Sequence, residues 1–342
     1  MRKVIAASVL GLMMCLHLTW AQDESEPFVM RHGYHVYDAP WHLTAGITFT
    51  QWLEDATDHK IRVENYNNFS IRQNEDLINY IQEGKLDSAV LTLETLAAHN
   101  PKFNMFFMPY LFENSEVAHQ VMDDFLLDWI NEQLKPLNIV ALGILDFGFR
   151  QICTNRPNLK TLDDFKGLTL ASSNRDIFIE AMGKIGINLR KTPYEDLYKV
   201  LAFSQVDGAE HLVSVMVAKQ LNKLEKHLYL TNHFYEFMPM VFSMDFINKL
   251  PPDIQQALRE TVKRAQELNR SMCSKHEADY VQYLSDQGMT VHGVSSESFR
   301  RNIDAVYESI SQHVGQGDDL WELFFAISRA RYAVDDQRQH RQ

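Results

Sequence analysis

The chain has 342 residues, of which 45% are hydrophobic and 23% charged, with a formal net charge of -12. This composition excludes disordered, collagenous and disulfide-scaffold chains, and the length suffices for two lobes of about 150 residues each. The acidic balance, without any Lys/Arg-rich run, argues against a nucleic-acid partner, because neutralising phosphates takes a basic face. Cys15, Cys153 and Cys273 include no CxxC pair, so neither a structural zinc site nor a thioredoxin-like motif is read from them.

Met1-Arg2-Lys3, the apolar run Val4 to Leu18 and the small residues of Thr19-Trp20-Ala21 have the three-part form of an export signal. Residues 1–21 are expected to leave, and the mature chain to begin near Gln22. A spanning helix needs about 20 apolar residues, and neither this run nor a later one supplies them. Cys153 and Cys273 remain in the mature chain and are expected as two free thiols.

Short β-rich runs then alternate with helical patterns. Phe28 to His32 leads to a helix over Trp41 to Asp58, a strand at Ile61 to Tyr66 and a helix over Asn74 to Gly84. The alternation continues through Leu86 to Thr92, Ser115 to Lys135, a strand Ile139 to Asp146, Leu168 to Leu170, a helix Arg175 to Ile185, and Tyr194 to Ser204 before Val206-Asp207-Gly208. From Pro251-Pro252-Asp253 to Gly288 the pattern is helical without a break. At 1.5 Å per residue such a helix is about 50 Å long, enough to span both lobes. Leu320, Leu323, Phe324 and Ile327 recur at helical spacing, so Asp319 to Val334 is expected to be an amphipathic helix. It packs back on a lobe or seals a homodimer, and Asp335 to Gln342 are expected to fray.

The short signatures of catalysis are missing: no GxSxG, Ser-x-x-Lys, HExxH, GxGxxG or Walker loop occurs. His32, His35 and His42 gather near the mature N-terminus, but positions i and i+3 of a strand face opposite ways, so they are read as surface and cleft-edge histidines and not as metal ligands. No cofactor or metal is expected. The Met- and Phe-rich runs Asn104 to Phe112 and Phe234 to Phe242 are read as core, with an apolar pocket as the other reading.

An ordered series of segments resembles the solute-binding proteins of tripartite ATP-independent periplasmic (TRAP) transporters, the DctP-like family. Asp38-Ala39-Pro40-Trp41-His42 is similar to the family's opening segment. Glu83-Gly84-Lys85-Leu86-Asp87-Ser88-Ala89, Met108-Pro109-Tyr110-Leu111-Phe112 and Gly148-Phe149-Arg150-Gln151 are similar to three segments that follow. Thr161 to Leu168, Leu197-Tyr198 and Val206-Asp207-Gly208-Ala209-Glu210 continue the order, and the long helix completes it. The resemblance implies an α/β fold: a two-lobed, type II-like periplasmic-binding-protein architecture with hinge strands. Lobe 1 takes residues 27–147 plus about 232–275, lobe 2 takes 148–231 plus about 276–317, and 318–342 form a C-terminal helix and tail. It also implies a periplasmic protein, not an enzyme, that captures a small molecule between the lobes and delivers it to the small and large membrane subunits of a permease.

Two departures bear on the ligand. Family members that bind organic acids carry an arginine in the stretch after Leu168, where its fork pairs the ligand carboxylate. The matching residue here is Ala171. His211 stands where the family often has asparagine, and an imidazole brings a pH-dependent charge. Either an acidic ligand uses Arg150 and Arg175 instead, or the chemistry has changed. In the second case Glu94, Asp146 and Glu210 suit an amine, an amino alcohol or a neutral polar molecule. Tyr34, Trp41, Phe147 and Phe149 are candidates to pack on the ligand or on an ammonium group, and Ser172 and His233 join the candidate set. A periplasmic sensor that shows its closed form to a membrane receptor is the other functional reading.

Overall fold

The computed structural model describes residues 26–34, 40–66, 76–173, 175–295, 303–314 and 319–340. The expected export signal and His35 lie outside these residues, as do the side chains of Trp41 and His42.

Among the described residues nine strands form one sheet: β1 (Phe28–Gly33), β2 (Ile61–Tyr66), β3 (Ser88–Val90), β4 (Ile139–Thr154), β5 (Thr169–Ser172), β6 (Asn188–Lys191), β7 (Gly208–Leu212), β8 (His227–Ser243) and β9 (Thr290–Gly293). Their order is β2-β1-β3-β8-β4-β7-β5-β6, and β9 also pairs β8. Parallel strands β1, β2 and β3 lie at one end and parallel β5, β6 and β7 at the other. Parallel neighbours need crossover helices. These are α1 (Pro40–Ala56) and α2 (Asp76–Gln82) at the first end, and α7 (Asp176–Lys184) and α8 (Leu197–Ala202) at the second. The result is an α/β fold in two lobes, joined where β4 and β8 run antiparallel along their whole length.

β4 and β8 have 16 and 17 residues, about three times the usual strand. One half of each serves each lobe: β3 pairs the Met240–Phe242 end of β8, and β7 pairs the Arg150–Thr154 end of β4. The expected strand from Ile139 stops at Asp146, whereas β4 continues to Thr154. It passes that point on register shifts between Ala141 and Gly143, Asp146 and Gly148, and Arg150 and Ile152, and such bulges bend a strand without ending it.

The long helix, α11 (Pro252–Asp286), has 35 residues as expected, about 52 Å. It packs on α1, β4 and α9 (Val213–Ala218), so it bridges both ends of the sheet. Its polar side chains satisfy the β4 groups that the bulges leave over. Gln266 Oε1 accepts from Ile144 N at 2.7 Å, Asn269 Oδ1 from Asp146 N at 2.6 Å, and Glu277 Oε1 from Phe149 N at 2.8 Å.

The expected helix Ser115 to Lys135 is α4 (Ser115–Val121), a π-helical turn Met122–Leu126, and α5 (Leu127–Leu134). The Met- and Phe-rich run Met105 to Phe112 is core, every residue buried. Phe103 and Phe106 meet Trp129 edge-on at 5.2 and 5.4 Å. His32, read as surface, is instead fully buried, with Nδ1 2.8 Å from Ser88 Oγ, because it shares with Met30 the inward face of β1 while Val29 and Arg31 alternate to the outer one. Cys153 and Cys273 are buried free thiols. The C-terminal helix is continuous from Asp319 to His340, so the stretch from Asp335 expected to fray is helical to that point. It packs on α4 with Leu323, Ala326, Ile327, Ala330 and Val334 buried, while Trp321, Phe325 and Tyr332 face solvent.

Candidate functional site

Where β4 changes partner from one lobe to the other it presents Arg150, 3% exposed, between β7 and β8. All three of its nitrogens donate. Nε donates to Glu210 Oε2 at 2.6 Å, Nη2 to Glu210 Oε1 at 2.9 Å and to the Glu210 carbonyl at 3.2 Å, and Nη1 to Glu236 Oε1 at 2.6 Å. The Glu210 carboxylate is fully used as well. Besides the Arg150 fork it accepts the Ser172 hydroxyl from β5, and His233 Nε2 lies 3.2 Å away. His233 Nδ1 meets Thr231 Oγ1 at 2.8 Å, so a neutral ring donates to Glu210 and accepts from Thr231.

Burial alone would raise the Glu210 carboxyl, but the adjacent Arg150 charge and the His233 bond outweigh it and hold it down to about 2. Glu236 goes the other way. Burial pushes its carboxyl up to about 7 against the pull of Arg150, and the negative charge of Glu94 adds to the rise. Burial and then Arg150 hold the His211 imidazole well below its ordinary range. The neutral ring accepts Leu212 N on Nδ1 at 2.9 Å and meets Ser173 Oγ through Nε2, also at 2.9 Å.

Ala171 is completely buried in β5, between Arg190 of β6 and Ala209 of β7, and adds no charge. Glu94 lies in the first turn of α3 (Leu93–His99), which Thr92 caps by accepting Thr95 N. Arg175, at the start of α7, donates from Nη1 to the Glu94 carbonyl at 2.9 Å, which ties the α7 end of the molecule to the α3 end.

The other expected residues lie apart. Asp146 does not join Arg150: its Oδ2 is 2.5 Å from His119 Nε2, in a separate cluster with Asn269 and Tyr235 under α11. Phe149 meets Tyr235 at 4.7 Å and Phe147 is 8% exposed, both in the core. Tyr34 follows β1, half-buried, 5.8 Å from the His32 ring. Trp41 falls in the first turn of α1, its side chain outside the described residues.

Sequence reasoning missed Glu236 and Ser173. Glu236 had a signal: it is the only Asp, Glu, Lys or Arg in the 17-residue strand β8. A lone charge in a buried strand requires a partner.

The family model described as bacterial extracellular solute-binding protein, family 7 (DctP), matches residues 34–313. The chain belongs to this family. Its members with TRAP transporters bind solutes in the periplasm and work with membrane permease subunits, and the family is one of binding proteins and not of enzymes. The chain is 23% identical over 293 residues to the 2,3-diketo-L-gulonate-binding periplasmic protein YiaO of Escherichia coli, covering 85% of this chain and 89% of that protein. To the C4-dicarboxylate-binding periplasmic protein DctP of Rhodobacter capsulatus it is 22% identical over 322 residues, covering 92% and 95%. A TRAP periplasmic solute-binding protein from Ochrobactrum anthropi superposes with a TM-score of 0.84 at 20% identity, covering 90% of this chain and 97% of that one. The sugar acid binding protein DctPAm of Advenella mimigardefordensis, solved with galactonate, gives 0.77 at 23%, covering 89% and 99%. Among the described residues no helix is long and apolar enough to cross a membrane.

Proposed function

We propose that this chain is the periplasmic solute-binding protein of a TRAP transporter that captures a small polar metabolite without the family's carboxylate clamp, the solute being an amine, an amino alcohol or a neutral polar molecule. The observation that carries this reading is that all three nitrogens of Arg150 already donate to Glu210 or Glu236, its bidentate fork being taken by Glu210, while Ala171 stands where the clamp arginine would be. A carboxylate entering this cleft would have to displace a buried ion pair, and stripping one partner from such a pair costs about 3–5 kcal/mol. Residues 1–21 act as the export signal, with lobe 1 (27–147 and about 232–275) and lobe 2 (148–231 and about 276–317) closing on the solute. Closure shifts the population toward the form that docks on the two membrane subunits.

Several known relatives bind sugar acids, including galactonate for DctPAm and D-glucuronate for the Chromohalobacter salexigens protein. They define the competing reading, an organic acid held through Arg150 or Arg175. Thermal shift against carboxylates, amines, amino alcohols and polyols separates the two, since a ligand at 100 times its Kd adds about 2.7 kcal/mol. Stabilisation by amines or polyols and none by acids supports the proposal; stabilisation by acids alone overturns it. The solvent-facing row Trp321, Phe325 and Tyr332 supports a second copy of the chain as a partner, which light scattering on full-length and helix-truncated protein tests.

A further inference from the structure

We infer that Glu236 is the specificity-determining acceptor of this cleft and that the solute presents an organic ammonium group to it. The inference rests on the solute-binding reading above and narrows its ligand class.

The argument is one of charge and of open hydrogen-bond positions. Arg150 on β4, Glu210 on β7 and Glu236 on β8 bring one guanidinium and two carboxyl groups together. Glu94 on α3 adds another negative charge that Glu236 senses. His211 on β7 and His233 on β8 are held neutral by burial and contribute none. Arg175 on α7 supplies a cation at the cleft edge, directed to the Glu94 carbonyl.

The two carboxylates on Arg150 are not equivalent. Glu210 is fully buried and spends both oxygens on Arg150, Ser172 and His233. Glu236 is 13% exposed, gives Oε1 to Arg150 Nη1, and has no described side chain bonded to Oε2. Its accessible carboxylate edge therefore has acceptor capacity to spare, and its neighbours leave it short of positive charge. A carboxylate solute would add a further negative charge beside Glu94 and Glu236. A neutral polyol brings no cation, so Glu236, whose carboxyl is already pushed up to about 7, would take up a proton in place of an ionic partner as the lobes shed water. An ammonium supplies both the missing charge and the missing donors, and charge-assisted hydrogen bonds are the strong ones.

The test is calorimetric titration of the full mature chain with two matched series that differ only at C1: 1-amino-1-deoxygalactitol, galactitol and galactonate, and 3-aminopropane-1,2-diol, glycerol and glycerate. Primary and quaternary ammonium compounds of two to six carbons are added. At least one ammonium compound is expected to bind, and Glu236→Gln to weaken it by about 30-fold or more. Glu236→Asp is expected to recover part of the loss. Glu236→Gln keeps an acceptor for Arg150, and an unchanged circular dichroism spectrum and melting point show that it folds. Binding of carboxylates in place of ammonium compounds overturns both this inference and the ligand class proposed above. Binding of polyols alone overturns this inference and leaves that class standing. Binding of no ammonium compound, or ammonium affinity within about twofold in Glu236→Gln, overturns the role of Glu236.

Discussion

The Phe149 amide donates to Glu277 Oε1 at 2.8 Å, directly after Gly148, whose φ is +113°. The bond ties the long helix to β4 at the register shift where the strand passes from one lobe to the other. Burial pushes the Glu277 carboxyl up to about 7, against the Phe149 bond and with help from the charge of Asp146. A Cβ on residue 148 would lie 2.3 Å from that oxygen. Glycine is required here twice, by its backbone angle and by its neighbour.

Gly148→Ala is therefore expected to cost roughly 3 kcal/mol in urea unfolding, combining backbone strain with displacement of a buried acceptor. Gly84→Ala is the control: φ is +68° but nothing lies within 4 Å of the added carbon, so about 1 kcal/mol is expected. Equal losses at the two positions contradict the account of the helix-to-strand bond.

Removing Arg150 leaves Glu210 charged, buried and without its guanidinium. Arg150→Met is expected to destabilise by about 3–5 kcal/mol, and adding Glu210→Met to recover a large part of it. Chemical denaturation of the two singles and the double measures the coupling, and simple additivity would show that the pair does not act as a unit.

The expected pH dependence follows from carboxyls shifted in opposite directions. Glu225, Glu236 and Glu277 are pushed up to about 7 by burial, so the native state binds protons more tightly than the unfolded chain between about pH 4.5 and 7. Stability falls as pH rises through that window. Glu210, held down to about 2, contributes stability that is lost as pH falls below about 4.5. The melting point is expected to peak near pH 5 and to drop by roughly 5 °C by pH 7.5. A melting point that rises steadily over that interval contradicts the buried environments of the three glutamates.

The strand, helix and turn order was legible because period-2 and period-3.6 patterns separate cleanly in β1, α1, β2, α7 and α11. The extent of β4 and β8 was not. A strand that is covered on both faces has no polar alternation to follow, and the bulges at Leu142 and Phe147 of β4 and over residues 230–233 of β8 break what pattern remains. Arg150 and Glu210 were each marked as candidates by a recognisable segment. Glu236 escaped because its partner is 86 positions away, a proximity that only antiparallel pairing creates. Asp146 was placed in the wrong cluster for the related reason that a bulge changes which residues share a face.

The C-terminal helix separates inner from outer side chains sharply. Leu323→Ala, at a fully buried position, is expected to cost about 2–5 kcal/mol. Trp321→Ala, Phe325→Ala and Tyr332→Ala, each at least 70% exposed, are expected to change stability by under about 0.5 kcal/mol each. Thermal melts at two protein concentrations read both effects, and a large concentration-dependent loss in the outer variants would place those aromatics in a dimer interface.

The most direct measurement is a crystal structure of the mature protein with its bound solute. The account predicts Arg150 still bidentate on Glu210, and a solute nitrogen within hydrogen-bond distance of Glu236. A solute carboxylate seated on the Arg150 fork, with Glu210 or Glu236 turned away, would contradict it.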